Sequence, residues 1–264
     1  MVKAADRAKN PARSSVWLET RATRSGGGPA GLDRERIVST AIRMLDEDGL
    51  AKLSMRRLAT ELNVTAMSLY WYVDTKDDII EFALDAVHEA IDLAAVEAAG
   101  SWQERLRLLS NDYRRMLVAH PWVSSISGTY LNVGPRAVAV AKGIYYLIES
   151  TGLPLDGQPG ATSAVFQFVY GFGTVEGNFE RRAVETGMSQ DEYYRSAIDA
   201  FVDEPRFADD LKVMLPVIEE RASRSMDSVW DRDFDYALDV LIAGIEVMVV
   251  RAQERQERQK RQER

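Results

Sequence analysis

The sequence predicts an all-α protein, and three observations carry the prediction. Apolar residues recur at three- and four-residue spacing in segment after segment, the signature of amphipathic helices. Capping residues open these segments, and glycine or proline closes them. No segment alternates apolar and polar residues convincingly enough to read as a strand.

Composition bounds the rest. The 264 residues are 46% hydrophobic and 28% charged, enough for one large domain or two small ones, each with its own core. No run of about 18 apolar residues and no signal peptide is present, so a cytoplasmic location is expected. Cysteine is absent, which excludes disulfides and thiol chemistry. Net charge is −8, but it is unevenly spread: residues 1–76 hold 13 Lys+Arg against 9 Asp+Glu, or +4, and the remainder carries −12. A basic end beside an acidic body suits a small DNA-binding unit on a body that stays off phosphates.

Residues 1–31 read as a disordered basic arm ending in Gly and Pro. Lys3, Arg7, Lys9, Arg13, Arg21 and Arg24 face only Asp6 and Glu19. The arm is either a solubilising tail or a segment that reaches along DNA. Val16, Trp17 and Leu18 interrupt it, and a tryptophan in a tail usually docks on something. The triple glycine is no phosphate loop, because no strand precedes it and no Lys-Ser/Thr follows.

Asp33 caps a predicted helix to about Asp48, with Ile37, Ala41, Met44 and Leu45 on one face and Gly49 at its end. Ser54 caps a short second helix carrying Met55, Leu58, Ala59 and Leu62. Asn63 is suited to a left-handed cap, Val64 plugs the turn, and Thr65 caps a third helix. There Ala66, Leu69, Tyr70 and Val73 are expected inward, with Met67, Ser68, Trp71 and Tyr72 outward. A short helix exposing aromatics and methionine suits entry into a DNA major groove. Residues 32–76 thus form a predicted helix-turn-helix unit, and 77–251 a larger helical domain followed by a charged tail, 252–264.

Thr75 and Asp78 make a capping box for a long helix from Lys76 to about Ala99. Further helices are predicted from Trp102 to about His120, over 136–150, over 161–182, over 190–201, over 209–223 and over 231–251. The 161–182 helix is apolar, and its Gly171, Gly173 and Gly177 suit close helix contact or room beside a ligand. Glu204-Pro205 is expected to be a mobile turn, and 251–264 a frayed helical extension.

Several motifs carry a family resemblance: Ile37 to Gly49, Leu53-Ser-Met-Arg-Arg-Leu-Ala59, Ser68-Leu-Tyr-Trp-Tyr-Val73 and Lys76. The chain resembles the tetracycline-repressor family of regulators over nearly its whole length. Ser101-Trp102-Gln103, His120, Phe172-Gly173-Thr174 and the final helix are similar to the subgroup of the tetracycline repressor itself. Ser15-Val16-Trp17-Leu18 looks like regulators that accompany antibiotic-export genes.

The resemblance implies an Ω-shaped all-helical homodimer whose C-terminal helices, here 161–182 and 231–251, form a four-helix bundle. It implies binding to a palindromic operator in double-stranded DNA, with recognition helices about 34–36 Å apart. It places Arg56 where the family sends an arginine to a guanine or phosphate, Thr65, Ala66, Met67 and Ser68 where base edges are read, and Tyr70, Tyr72 and Lys76 at phosphate-contacting positions. Trp71 would lie at the groove wall, and Tyr70 has a competing reading as core. An effector cavity would hold Asn111, Tyr113, Met116, Trp122, Tyr130, Gln167, Phe168 and Phe172, with Tyr145 and Phe166 nearby. It would suit an apolar, aromatic or polycyclic small molecule. The histidine that helps bind magnesium–tetracycline in the founding member aligns near Ser127, so no metal or other cofactor is expected.

The leading expectation is a repressor released by a small molecule, tied to an efflux or antibiotic-related gene. A DNA-binding activator or architectural protein without an effector is the alternative. An enzyme finds little support: there are only two histidines, no phosphate loop and no recognisable nucleophile set. Glu176 and Glu180 share a helix face but read as surface charge.

Overall fold

The computed structural model describes residues 15–18, 31–126, 128–202, 204, 206 and 208–262. All regular structure among them is helical, with no strand.

Three short helices come first. α1 (Arg34–Asp48) opens on Asp33, whose side chain accepts the Arg36 amide, and ends at Gly49 in a left-handed φ of 76°. α2 (Met55–Glu61) opens on Ser54, which accepts the Arg57 amide. Asn63 then adopts φ 55°, and two backbone bonds close the turn, Val64 N to Ala59 O at 2.9 Å and Asn63 N to Thr60 O at 3.0 Å. This is a complete Schellman closure built on asparagine rather than glycine.

α3 (Ala66–Leu69) is capped by Thr65 and is much shorter than the sequence suggests. After it the amides of Tyr70 and Tyr72 bond three residues back, to Met67 and Leu69, which tightens the chain into turns. The run Tyr-Trp-Tyr-Val is rich in aromatic and β-branched residues that lower helix propensity. Tyr72 also donates its hydroxyl to the Leu32 carbonyl.

α4 (Lys76–Val87) has the expected capping box of Thr75 and Asp78, but it does not run to Ala99. A 3₁₀ turn follows at His88–Ala90, Ile91 is extended, and Asp92 caps a separate α5 (Leu93–Ala98). Two polar contacts impose the break. His88 binds the Leu84 carbonyl through Nδ1 at 2.7 Å, and the Asp92 amide donates to Asp112 across the fold at 3.0 Å.

α6 (Trp102–Ala119) opens on a capping box of Ser101 and Glu104. α7 (Trp122–Ser125), α8 (Pro135–Ser150) and the long α9 (Gln158–Thr186) follow. α10 (Gln190–Val202) and α11 (Ala208–Ala222) precede α12 (Met226–Gln262), which carries the charged tail as helix. The turn expected at Glu204-Pro205 includes Pro205, which lies outside the described residues.

The core is continuous from Ile37, Ala41, Leu45, Leu58 and Leu69 through Ile79 and Ile80 to Leu106, Leu117, Val165, Val169 and Phe234. Burying each such side chain is worth about 1.5–3 kcal/mol, and the shared cluster joins the first three helices to the rest. α6 lies so close to α9 that a Cβ on Gly177 would sit 3.1 Å from Val118 Cα. Where α6, α9 and α12 meet, Arg114 makes a bidentate pair with Glu176 at 2.6 and 2.7 Å. It also reaches Asp231 at 2.9 Å and lies 4.8 Å from the Phe234 ring centroid. Glu176 is therefore a buried ion-pair partner, not the surface charge expected of it.

The first four described residues correct the expectation of disorder at positions 15–18. Ser15 and Val16 are buried, and both donate to the Glu81 carboxylate on α4, Val16 through its amide at 3.0 Å. The basic residues Lys3, Arg7, Lys9, Arg13, Arg21 and Arg24 lie outside the described residues. No helix among those described is long and apolar enough to cross a membrane.

Candidate nucleic-acid interface and effector region

The surface made by α2, its turn and α3 is built from the scaffold outward. Leu58, Ala59, Leu62, Leu69 and Val73 are buried, so the two helices are fixed to α1 and α4. Opposite them, Met67 is 71% exposed and Trp71 51% exposed. Arg56 and Thr65 are exposed, and Ala66, Ser68 and Tyr70 are half-buried. The Thr65 and Ser68 hydroxyls lie 3.0 Å apart and bond to each other, so part of their hydrogen-bonding capacity is already used within the chain.

Two expected surface residues are differently engaged. Tyr72 was expected to point outward; instead it packs partly against the core and spends its hydroxyl proton on Leu32. That contact ties the turns after α3 to the entry of α1. Lys76 reaches the Leu50 carbonyl through Nζ at 3.0 Å, pinning α4 to the end of α1. Tyr70 is half-buried beside the buried Leu69.

Around this surface the charge is mixed. Arg57 bonds Asp48 at 2.6 Å, holding that carboxylate below its usual range, and Arg43 pairs with Glu47 and Glu61 at 3.1 and 2.9 Å.

The residues expected to line an effector cavity fall into separate groups. Tyr113 stacks edge-on against Phe166, ring centroids 5.8 Å apart, and burial raises its phenol pKa. Phe168 stacks on Phe234 at 5.3 Å, and Phe172 meets the same ring edge-on at 5.2 Å. Met116 is buried. Trp122 is buried too, but its indole N–H points to Asp46 of α1 at 2.7 Å, a carboxylate that His120 also contacts at 2.8 Å. Tyr130 donates to Asp77 at 2.9 Å, and burial together with that carboxylate raises its pKa.

The polar anchors are less enclosed. Asn111 donates to the Arg107 carbonyl of its own helix at 3.0 Å. Gln167 is exposed, two residues from the buried Val165 and so on another side of α9. Tyr145 is also exposed, packed against Tyr146. Ser127 lies outside the described residues. No group of three or more metal-ligating side chains occurs among those described.

Sequence reasoning missed the polar ties that hold α1 and α4 to later segments of the chain. Asp46 to His120 and Trp122, Asp77 to Tyr130, and Asp85 to the amides of Arg136 and Ala137 at 2.9 and 3.0 Å all bridge distant segments. No local pattern announces such pairs.

Residues 37–82 match the family model described as bacterial regulatory proteins, tetR family. Residues 96–249 match the one described as tetracyclin repressor-like, C-terminal domain. A transcriptional regulator with a helix-turn-helix from Saccharopolyspora erythraea is 39% identical over 140 residues, 53% of this chain and 59% of that protein, so the match spans less than two thirds of its length. The transcriptional repressor DrrR1 of Streptomyces coeruleorubidus is 27% identical over 89% of this chain and 85% of its own. The crystal structure of the Streptomyces coelicolor TetR family protein ActR in complex with actinorhodin superposes with a TM-score of 0.61 at 25% identity, covering 83% of this chain and 99% of that one. With both family models matched, the second over more than half the chain, this protein belongs to the TetR family of bacterial transcriptional regulators.

Proposed function

We propose that the protein is a ligand-responsive repressor that binds a palindromic operator as a dimer and is released by an apolar, aromatic small molecule. The observation that carries the DNA reading is the exposure of Met67 on the capped α3 and of Trp71 in the turns just after it, while Leu69 and Val73 beside them are anchored in the core. A solvated surface gains nothing from that pair, whereas thymine methyl groups and a groove wall do. Arg56, exposed on α2, supplies charge for guanine or phosphate, as Ser68 and Tyr70 supply hydroxyls.

Release by a ligand is supported by the relatives, since DrrR1 is named a repressor and ActR holds actinorhodin. It is supported also by the aromatic interior of α6 and α9, of the kind that binds flat apolar molecules. The effector would displace α4, which follows the reading segment after only a few residues, and move the two heads of the dimer out of register. Operator DNA would then weaken effector binding by the same factor. The protein would act in the cytoplasm, on a gene for efflux or antibiotic handling.

A gel-shift titration on the gene's own upstream DNA tests this, at two salt concentrations, with wild type and Arg56→Ala, and with and without actinorhodin as an aromatic probe. Wild type is expected to bind tightly with strong salt dependence, and Arg56→Ala to lose about 1–3 kcal/mol of specific binding. Release by the probe supports the effector reading. Tight binding that neither actinorhodin nor a wider set of aromatic compounds releases would favour a regulator without an effector.

A further inference from the structure

The segment Ser15–Leu18 has a place in the fold that none of the functional reasoning uses. It forms a single turn, with the Leu18 amide bonded to the Ser15 carbonyl at 3.1 Å and the Trp17 amide to the Ser15 hydroxyl at 3.3 Å. That turn presents three groups to α4. The Ser15 hydroxyl and the Val16 amide both donate to Oε2 of Glu81, a carboxylate only 3% exposed. The Trp17 ring stands edge-on to Phe82, centroids 4.9 Å apart.

The site lies where α1 and α4 meet. Arg34, the first residue of α1, holds its guanidinium 4.7 Å from the centroid of the same Phe82 ring. Trp17, Arg34, Val38, Ile42 and Phe82 share a groove there with Asp85. One turn beyond Glu81, Asp85 accepts the first amides of α8, and a Cβ on Gly134 would collide with it at 2.2 Å. A buried carboxylate requires such donors, because an unsatisfied charge in the interior is costly. Glu81 and Asp85 therefore hold α4 from two directions: the N-terminal turn grips one, and α8 grips the next.

We propose that Ser15–Leu18 is an intramolecular clip that locks α4 against α1 and sets how freely α4 moves. Displacing α4 along or about its axis strips Glu81 of two donors and parts Phe82 from Trp17, so the clip opposes any such motion. Its regulatory meaning rests on the proposed switching role of α4. The restraint itself is read without DNA or effector, so the two can fail separately.

The test is hydrogen exchange by mass spectrometry on the full chain, comparing wild type, Trp17→Ala, Ser15→Ala and the control Leu18→Ala, whose side chain is about half exposed. Trp17→Ala and Ser15→Ala are expected to speed exchange of the Ile79–Val87 amides, and of Arg136 and Ala137 beyond them, by about tenfold or more. The control and the α9 and α12 peptides are expected to match wild type in every chain. Acceleration confined to the first residues, with α4 unchanged, would overturn the clip. Uniform acceleration across all helices would overturn it as well, because the segment would then contribute only general stability. Ser15→Ala removes a single hydroxyl, so it keeps the test decisive if Trp17→Ala folds poorly.

Discussion

His88 ends α4 with its side chain as well as its backbone. It is buried, and its two ring nitrogens meet the Leu84 carbonyl at 2.7 Å and the Asn132 amide at 3.2 Å. The carbonyl requires a donor and the Asn132 NH₂ an acceptor, so the neutral ring with its proton on Nδ1 satisfies both. Burial lowers the His88 pKa, with the Leu84 carbonyl and Asp85 opposing it. The folded chain then binds fewer protons at this site than the unfolded chain, whose histidine titrates near 6.5. This contribution to stability is fully present above about pH 6.5 and is lost as pH falls below it. The thermal midpoint of wild type is therefore expected to drop more steeply between pH 7 and pH 5 than that of His88→Gln. Equal slopes in a pH series of thermal melts would show that the ring is not held neutral. Arg114 follows the opposite logic: its guanidinium keeps its charge because Glu176 and Asp231 surround it, although burial works against that charge. Truncating Glu176 would leave a buried cation, the costly way to break such a pair.

At the scale of the element, helix starts and stops were legible because they depend on neighbours in sequence. Asp33, Ser54, Thr65 and Thr75 all cap as expected, and Asn63 takes the left-handed turn. The break at Ile91 was not legible, since Ile91 continues the apolar register and the residue that secures the new start, Asp112, lies 20 positions away. The same is true of Glu81 and Phe82 as the partners of the Ser15–Leu18 turn, whose tryptophan did signal docking, and of the Arg114–Glu176 pair, separated by 62 positions. The glycines of α9 sort themselves only in three dimensions. A Cβ on Gly171 would meet nothing within 4 Å, while one on Gly177 would meet Val118 Cα at 3.1 Å and the Leu117 carbonyl at 3.3 Å. Alanine at 177 gains about 1 kcal/mol of helix propensity, but the opposing atoms are helix backbone and cannot step aside. Overpacking costs about 1–3 kcal/mol, so Gly177→Ala is expected to lower the thermal midpoint. A raised midpoint would show that α6 and α9 can separate at little cost.

At the scale of the whole molecule, α9 and α12 leave an apolar face uncovered among the described residues. Val240, Val247 and Met248 of α12 are about half exposed. With Leu153, Ala161 and Ala164 they line a groove of about 780 Å³ between α9 and α12. A Cβ on Gly160 or Gly244, in the same groove, would meet nothing within 4 Å. An isolated monomer seldom leaves so contiguous an apolar surface in water, and a twofold axis through it would bring the same patch of a second copy into contact. The four-helix bundle expected from the sequence has this face as its natural seam. Val240→Glu with Met248→Arg is therefore expected to convert a dimer to monomer in sedimentation velocity, with the helical circular dichroism unchanged. Each reading head remains intact in that variant, so binding to a single half-site should stay near wild type. Affinity for the full palindrome should fall by about 10²–10⁴, the factor lost when two linked sites become independent. A variant that stays dimeric would move the interface to another face. One that becomes monomeric yet keeps its affinity for the palindrome would mean that the two half-sites are not read together.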